Sequence, residues 1–435
     1  MESGDRATRI ELANFSSPPM RAFHMSWLAF FTSFVGWFAV APLMPLIRGD
    51  LGLSRQQIGT SVIASVALTF LARLLAGRLL DRFGPRRIYS ALLVLGSVPV
   101  MAIGLARSYE SFLLLRMAIG AIGASFVVTQ YHTSLMFAPN VVGTANATAA
   151  GWGNLGGGAA QLLMPLALGL LVSAGVESAL GWRLAMIAPG VAMLVMGVLY
   201  ARGVQDTPQG NFEDLQAGRS RGAPGGSFSS AARDPRVWAL FVAYGACFGL
   251  ELTLDNVAAL YFFDRFELDL TQAGAVAAGF GAMNLFARPL GGWLSDRVGS
   301  SRGVTGRATL LGLLLLFEGF ALLAFSRANA LWLAIPALLV VGLFVKMSNG
   351  ATYGVVPFLN RRALGSVTGI VGAGGNAGAV AAGFLFRDES LATQDAFLVL
   401  GAIVTFVSAF AFLLSLWVED RSGVEAPALG SELST

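Results

Sequence analysis

The chain has 435 residues, of which 55% are hydrophobic and only 12% are charged, whereas soluble globular proteins carry about 25% charged residues. This imbalance excludes an ordinary soluble domain and indicates a protein that lies in a lipid bilayer. The net charge of +4 does not indicate a nucleic-acid partner, because the arginines fall in short loops between apolar stretches and form no separate basic domain.

The hydropathy pattern predicts twelve membrane-spanning helices. A helix needs about 20 mainly apolar residues to cross a hydrocarbon layer about 30 Å thick, and such stretches recur between short polar breaks. The first stretch is too long for the apolar region of a signal peptide, so we interpret it as a retained span. The predicted spans are residues 25–47, 57–80, 88–107, 110–137, 143–173, 183–202, 235–263, 272–295, 307–325, 330–358, 364–386 and 394–417.

A polar Gly/Ser/Arg-rich segment divides the predicted spans into two sets of six. We interpret this segment, residues 203–234, as a linker. It separates an N-terminal half, residues 25–202, from a C-terminal half, residues 235–417. Residues 1–24 and 418–435 are predicted to be terminal tails, and we expect the start of the chain to be mobile.

Arginine is concentrated in the loops on one side of the predicted bundle. The positive-inside rule assigns that side, with both termini, to the cytoplasm. The few arginines in the opposite loops are accompanied by acidic residues. Abundant arginine, alanine and glycine favour a bacterial inner membrane as the location. The arginines that set the orientation are Arg82, Arg86, Arg87, Arg219, Arg221, Arg233, Arg297, Arg302, Arg361 and Arg362.

The two predicted halves carry an internal repeat. Residues 72–84 and 287–299 share eight identities at a constant offset of 215, at the end of the second span of each half. A second pair of similar segments lies in the fifth span of each half. Two parallel six-span halves resemble the major facilitator plan, in which substrate binds near mid-membrane between the halves and alternating access moves it across. The predicted fold is therefore all-α, with two pseudo-symmetric six-helix halves.

Each copy of the repeat ends in an Asp-Arg pair, Asp81 with Arg82 and Asp296 with Arg297. An aspartate at this place can accept hydrogen bonds from a neighbouring helix end or an arginine, and can hold one gate closed until the halves rock. The alternative is a solvated charged turn that only fixes the topology. We favour the gate and expect no substrate contact from these residues.

Two arginines, Arg73 and Arg288, lie at equivalent positions inside apolar spans. A central arginine costs about 2.5 to 3.5 kcal/mol on insertion scales, so it is usually retained for an internal partner or a cavity. The guanidinium group is a planar fork of donors that suits a small planar oxyanion. The alternative is that each arginine pairs with a buried carboxylate or reaches the membrane surface.

The repeated segments in the fifth spans are GWGNLGGG, which contains Asn154, and GAGGNAG, which contains Asn376. Glycines let two helices slide past each other or let the backbone meet a small ligand, and the asparagines supply dipoles. Packing of small residues alone is the alternative. We favour a functional role, because the asparagine recurs in both halves.

From about residue 35 to 385 the chain resembles the nitrate/nitrite porter family, and especially its branch of cyanobacterial, fungal and plant high-affinity nitrate transporters. The paired Gly-Asn segments look like the nitrate signatures of that family. The segments that carry the resemblance are VTQYHTSLMF, GTANATAAGWGNLGGGAAQLLMP, GLELTLDNVAALYFFDRF, NLFARPLGGWLSDR, GATYGVVPF and GSVTGIVGAGGNAG.

The resemblance implies site residues as well as a function. It makes Arg73 and Arg288 nitrate clamps and Asn154 a polar contact beside them, with Asn376 as its counterpart in the other half. It also implies that Phe126, Tyr244 and Phe248 are aromatic walls around the flat anion, although core packing is an equally good account of any one ring.

Two residues depart from the pattern of the family. His132 stands in the fourth span where relatives often have tryptophan, and we interpret it as a hydrogen-bonded packing residue in preference to a titrating group. Lys346, the only lysine, lies in the tenth span where relatives tend to have an uncharged amide. Pairing with Glu318, pairing with Asp255, or a role in the potential of the pathway all remain open.

Uptake of an anion into a negatively charged cell needs a co-transported cation or exchange. Glu251 and Asp255, four residues apart on the seventh span, share a helix face and are candidates for proton coupling. Structural pairing of Glu251 with a cation is nearly as good an account. The resemblance favours proton symport of nitrate, and also of nitrite.

Nitrate/nitrite exchange or nitrite export is the second reading, and a nitrate receptor without net flux is a third. An enzyme is not expected, because the sequence has no convincing nucleophile-base pair, metal cluster or phosphate loop. The single cysteine, Cys247, excludes an internal disulfide and a cysteine-based metal framework. No cofactor is predicted, and we expect a monomer whose partners are nitrate or nitrite, protons and the lipid bilayer.

Overall fold

A computed structural model describes residues 6–217, 228–268, 270–360, 363–387 and 391–422. Within these ranges the chain is helical almost throughout, and its extended pairing is limited to two isolated β-bridges. Four of the orienting arginines, Arg219, Arg221, Arg361 and Arg362, lie outside the described residues, as does most of the predicted C-terminal tail.

The N-terminal half begins earlier than residue 25. Short 3-10 turns join α5 to α6, which together form the predicted fourth span, and α8 with α9 forms the sixth. The helices of this half are α1 (Pro18–Phe38), α2 (Met44–Leu51), α3 (Arg55–Phe83), α4 (Pro85–Ala102), α5 (Tyr109–Gly120), α6 (Ser125–Met136), α7 (Val142–Ser173), α8 (Ser178–Ala185) and α9 (Ile187–Gly203).

Two short helices lie in the linker, and six longer helices form the C-terminal half. A 3-10 turn joins α13 to α14. The linker helices are α10 (Phe212–Ala217) and α11 (Phe228–Ala232), and they are followed by α12 (Pro235–Phe266), α13 (Leu270–Ala282), α14 (Ala287–Ser326), α15 (Leu331–Val355), α16 (Leu364–Arg387) and α17 (Thr393–Ser422).

Eleven segments of the described chain are long and apolar enough to cross a membrane, where the sequence predicts twelve. One of the eleven, Ala275–Ser326, has 52 residues and covers the predicted eighth and ninth spans. Inside it, Gly303 leaves helical geometry with φ 60° and ψ −151°. Arg307 donates to Asp296 at 2.7 Å although the two lie eleven residues apart, a distance of about 16 Å along a straight helix. The chain therefore turns back at Gly303, and its two arms correspond to the two predicted spans.

The halves touch where the repeat places glycine. A methyl group on Gly77 of α3 would overlap the carbonyl of Gly365 on α16, and one on Gly292 of α14 would overlap the carbonyl of Gly143 on α7. Both contacts join one half to the other at the end of the bundle that carries the Asp81 and Asp296 loops, which we call the latch end. Absence of a side chain lets these backbones approach closely, as in other membrane helix pairs.

Asp81 crosses from the N-terminal half to the start of α16. Its carboxylate accepts hydrogen bonds from the backbone N–H groups of Gly365 at 2.8 Å and Ser366 at 2.9 Å, and from the Ser366 hydroxyl at 2.7 Å. The first N–H groups of a helix have no partner within the helix and carry partial positive charge. The carboxylate therefore fastens one half to the other.

Asp296 makes the equivalent contacts in the opposite direction. It accepts from the backbone of Gly143 at 3.0 Å and from the backbone and hydroxyl of Thr144 at 2.6 and 2.7 Å, all at the start of α7. Arg307 pairs with the same carboxylate and also donates to the carbonyl of Pro139 in the N-terminal half at 2.9 Å. These contacts hold the two halves together at the latch end, and the gating role of the aspartates stays a prediction.

The arginines predicted beside the two aspartates do not take part in these bonds. Arg82 lies over the ring of Phe83 and Arg297 over the ring of Trp293, each on its own helix, and both arginines are exposed. The carboxylates and the more distant Arg307 thus form the latch contacts.

Two segments at the latch end make contacts that the sequence does not predict. Ala7 forms a β-bridge beside Phe137, with backbone hydrogen bonds to the carbonyl of Met136 and from the N–H of Ala138. Backbone hydrogen bonds thus hold Ala7 against the loop after α6, and the mobility expected for the start of the chain stays a prediction. In the linker, Asp206 accepts from the backbone N–H of Arg86 at 2.8 Å, so this part of the linker is tied to the start of α4.

Each latch can be tested by amide hydrogen exchange. Asp296→Asn removes charged acceptor atoms from the amides of Gly143 and Thr144, and a hydrogen bond to a charged group contributes about 1.5 to 3 kcal/mol. We expect at least tenfold faster exchange at the start of α7 and unchanged exchange at the start of α16. Asp81→Asn is the matched control, with the opposite pattern. Equal exchange at both sites in both variants would contradict the latch.

Candidate anion-binding site

Arg73 on α3 is fully buried and bridges the two halves. Its Nε donates to the carbonyl of Gly123 in the N-terminal half at 3.0 Å, and its Nη1 donates to the carbonyl of Gly372 on α16 at 2.6 Å. Its Nη2 has no hydrogen-bond partner among the described residues. Two backbone carbonyls thus fix the orientation of the guanidinium group and leave one nitrogen available.

Arg288 on α14 is equally buried, with 1% of its surface exposed. Its Nη2 donates to the Tyr244 hydroxyl at 3.1 Å, and its Nη1 lies 3.5 Å from a carboxylate oxygen of Glu251. The described structure gives its Nε no partner. Each of the two arginines therefore keeps an unpartnered N–H donor in the interior.

Three aromatic rings predicted at the site are stacked together. Phe126 on α6 lies nearly parallel to Tyr244 and Phe248 on α12, with centroid distances of 5.7 and 5.8 Å. The two α12 rings stack on each other at 5.1 Å and 4°. Tyr353 on α15 meets Phe126 edge-on at 4.9 Å. Rings from both halves thus form one cluster.

Both guanidinium groups lie against this cluster. The central carbon of Arg73 is 5.1 Å from the Phe126 centroid and 5.2 Å from that of Phe248. The corresponding distances for Arg288 are 5.5 and 5.7 Å. Distances within about 6 Å are favourable for a cation and an aromatic face. The predicted clamps and walls are therefore neighbours.

The two predicted asparagines lie near the cluster without joining its bonds. Asn154 and Asn376 are buried, and neither amide hydrogen bonds any group that the structure describes. The glycine before each asparagine explains the local packing: Gly153 lies against Phe30 of α1, and Gly375 lies against Phe248 of α12. The paired segments thus serve close packing and also leave two buried amides unsatisfied.

Glu251 is the centre of a dense polar cluster. Lys346 Nζ and the Asn284 amide donate to one carboxylate oxygen at 2.7 and 2.9 Å. The Asn349 amide donates to the other at 2.5 Å, beside the contact with Arg288. Hydrogen bonds from cations and amides stabilise the ionised carboxylate. This arrangement matches structural pairing of Glu251, the alternative to proton coupling.

The charges near the rings are positive on balance. Arg73, Arg288 and Lys346 are three cations, and Glu251 is the carboxylate that pairs with two of them. Pairing with a buried carboxylate, the alternative interpretation of the arginines, thus applies to Arg288. Arg73 is held by backbone carbonyls instead, and its charge has no carboxylate partner among the described residues.

Three further residues that the sequence leaves undecided have clear surroundings. Lys346 pairs with Glu251, and neither of the pairings considered for it, with Glu318 or Asp255, is present. Asp255 is exposed, one helical turn beyond Glu251. His132 lies within hydrogen-bond distance of the Tyr200 hydroxyl and the carbonyl of Gln205, as expected for a packing residue.

Residues 26–383 match the family described as the Major Facilitator Superfamily. The chain is 39% identical over 417 residues to a protein of Arabidopsis thaliana named high affinity nitrate transporter 2.5, covering 95% of this chain and 83% of the relative. It is 31% identical to the nitrate/nitrite transporter NrtP of a Picosynechococcus strain, covering 82% and 83%. The chain belongs to the nitrate/nitrite porter family of this superfamily.

Solved structures show the same fold for this porter. The proton:xylose symporter XylE aligns with a TM-score of 0.67 at 17% identity, over 94% of the porter and 96% of that chain. The E. coli fucose:proton symporter FucP aligns with a TM-score of 0.66 at 16% identity, over 92% and 99%. These structures show the fold alone. The family match and the nitrate-transporter relatives, together with the apolar segments, show that the porter is a multi-pass membrane protein and not an enzyme.

Sequence reasoning missed several groups of the porter's site. Asn284, Asn349 and Tyr353 are polar residues inside apolar spans, which is a signal that could have selected them. Asn284 also precedes Arg288 by one helical turn. No side chain marks the backbone carbonyls that hold Arg73, so the sequence offers no signal for them.

Proposed function

We propose that this porter imports nitrate, and also nitrite, by alternating access coupled to protons. The observation that carries the proposal is the pair of buried arginines, each with an unpartnered N–H donor, beside one shared cluster of rings. An unpartnered charged donor in a dry interior is costly and is usually retained for function. A bound anion would satisfy both donors.

Nitrate fits the chemistry of these groups. It is flat, carries one charge and accepts hydrogen bonds in its own plane, so guanidinium groups can bind its edge while rings cover its faces. Asn154 and Asn376 can supply further donors, because both amides are buried and unsatisfied. A tetrahedral anion such as phosphate is thicker and more highly charged, and matches the stacked rings poorly. The names of the relatives include both nitrate and nitrite, which supports the same two substrates here.

Import requires a second ion. Moving one negative charge into a cell opposes the membrane potential by about 2.3 kcal/mol per 100 mV. Proton symport supplies the driving force, and Glu251, Asp255 and Glu318 are the intramembrane carboxyls available to it. We propose that the porter is a monomer in the plasma membrane. The distribution of arginine supports an orientation with the latch end and both termini in the cytoplasm.

Alternating access follows from the latch. Asp81 and Asp296 fasten the halves at the latch end, so substrate would enter from the opposite side and leave after these bonds break. The predicted gating role of the Asp-Arg pairs then belongs to the aspartates, which bind across the halves, while Arg82 and Arg297 lie next to them in the chain. Both arginines of the site are buried in this structure, so the opposite side must open, with the latch still closed, before substrate enters.

Transport by the purified protein in liposomes tests the proposal. We expect an inward acid gradient to drive nitrate accumulation, and a protonophore to abolish it. Acceleration only by nitrite inside the liposomes, with no effect of the gradient, would assign the protein to nitrate/nitrite exchange. Nitrate binding without any flux would instead indicate a nitrate receptor that does not transport. Either of these two outcomes would contradict symport.

A further inference from the structure

Glu318, on the second arm of α14, has no place in the site described above. It is fully buried, and neither oxygen of its carboxyl group has a hydrogen-bond partner in the described structure. Glu251, by contrast, accepts from two cations and two amides. The two intramembrane glutamates thus have opposite surroundings.

We propose that Glu318 is the side chain that carries the coupled proton, an inference that rests on the proposed symport. An ionised carboxylate without partners is too costly in a dry interior, and such a group takes up a proton instead. With the latch closed, Glu318 is therefore neutral. Glu251 stays ionised, because its four donors favour the charged form.

The charged group nearest to Glu318 strengthens this difference. The Glu251 carboxylate of α12 opposes ionisation of Glu318, the neutral Ser348 hydroxyl of α15 lies beside the carboxyl group and partly offsets that effect, and the Cys247 thiol of α12 also interacts with it. α17 places Thr405 against the adjacent Gly319 and adds no charge there. Lys346 of α15, for which Glu318 is one of the partners that the sequence leaves open, forms its ion pair with Glu251. The nearest charge that acts on Glu318 is thus the negative charge of Glu251, which favours the protonated form of Glu318.

The position of Glu318 links the proton to the latch. The same arm of α14 carries Arg307, eleven residues earlier and about 16 Å along the helix axis. Arg307 binds Asp296 and the carbonyl of Pro139 across the latch. A displacement of this arm that admits water to Glu318 would therefore also disturb the latch bonds. Opening of the latch and deprotonation of Glu318 would then occur in the same conformational change.

Glu251 also links the proton to the anion. Nitrate bound at Arg288 adds negative charge beside Glu251 and competes with it for the guanidinium group. Both effects make the surroundings of Glu318 more negative and hold its proton more firmly. Because such coupling is reciprocal, a proton on Glu318 strengthens anion binding by the same factor. When the latch opens, the O–H bond of Glu318 breaks, the proton passes to water, and a carboxylate remains until the next cycle.

Glu318→Gln tests this role, because glutamine has the shape of the protonated acid and cannot release a proton. We expect this variant to keep nitrate counterflow at equal pH on both sides and to lose accumulation driven by an acid gradient. Its nitrate affinity should not change with pH, whereas that of the wild type should rise about tenfold on acidification, within the usual range of such coupling. Glu177→Gln, at an exposed loop position, is the matched control and should behave as wild type.

The outcomes separate this inference from the proposed function. Gradient-driven accumulation by Glu318→Gln would overturn the role of Glu318 and leave symport intact. Wild-type protein that ignores the gradient would overturn symport and this inference together. Should Glu318→Gln fail to reach the bilayer, Glu318→Asp replaces it: its shorter carboxyl group is expected to keep accumulation with a shifted pH midpoint, and an unshifted profile would overturn the role.

Discussion

Replacing Arg73 with lysine is expected to weaken nitrate binding by about ten- to a hundredfold, which corresponds to the loss of about 1.5 to 3 kcal/mol for a hydrogen bond to a charged group. Arg73 uses two nitrogens for the carbonyls of Gly123 and Gly372 and keeps a third free. Lysine preserves the charge but has one nitrogen and no planar fork. It cannot hold both carbonyls and also bind an anion edge.

Calorimetric titration of nitrate into purified protein measures this effect. Arg107→Lys is the matched control, because Arg107 is exposed in a loop, and it should leave the affinity unchanged. If Arg73→Lys bound nitrate as tightly as the wild type, the fork geometry at Arg73 would not be the basis of recognition.

The largest effect on stability is expected from Glu251→Gln. The change leaves Lys346 and Arg288 without their buried carboxylate and places an amide donor among other donors. Removal of one partner from a buried ion pair costs about 3 to 5 kcal/mol. We expect a loss of this size in the free energy of unfolding, measured by denaturant titration in mixed micelles.

Two further variants determine whether the loss comes from the ion pair. Asp255→Asn, one turn away on the same helix, should change the free energy of unfolding by less than about 1 kcal/mol, because Asp255 is exposed. Lys346→Met in the Glu251→Gln background should recover part of the loss, as a double-mutant cycle would detect. Additive effects of the two substitutions would exclude the ion pair as the cause.

Much of this architecture could be predicted from the sequence, because the repeat fixes equivalent positions in the two halves. Arg73 and Arg288 were recognisable as isolated charges inside apolar spans, and Asp81 and Asp296 as equivalent ends of the second spans. The structure places each aspartate on a helix of the other half. The sequence itself contains no information on which helix end receives it.

The remaining differences arise from how the helices turn and rotate. Arg307 reaches Asp296 only because the chain turns back at Gly303, and no hydropathy pattern predicts that contact. The partners of Glu251 come from α14, α15 and the 3-10 turn between α13 and α14, whose rotations are set by packing, which is why Lys346 could not be assigned to Glu251 beforehand. The pairing of Ala7 with the end of α6 and the loop after it depends on backbone bonds that any sequence could make.

An experimental structure of the protein with nitrate would test the central claim most directly. We expect flat, three-lobed density between the guanidinium groups of Arg73 and Arg288, beside the rings of Phe126, Tyr244 and Phe248, and weaker density in the Arg73→Lys variant at a nitrate concentration near the wild-type Kd. Nitrate bound with equal occupancy away from both arginines, with the space between them empty, would contradict it.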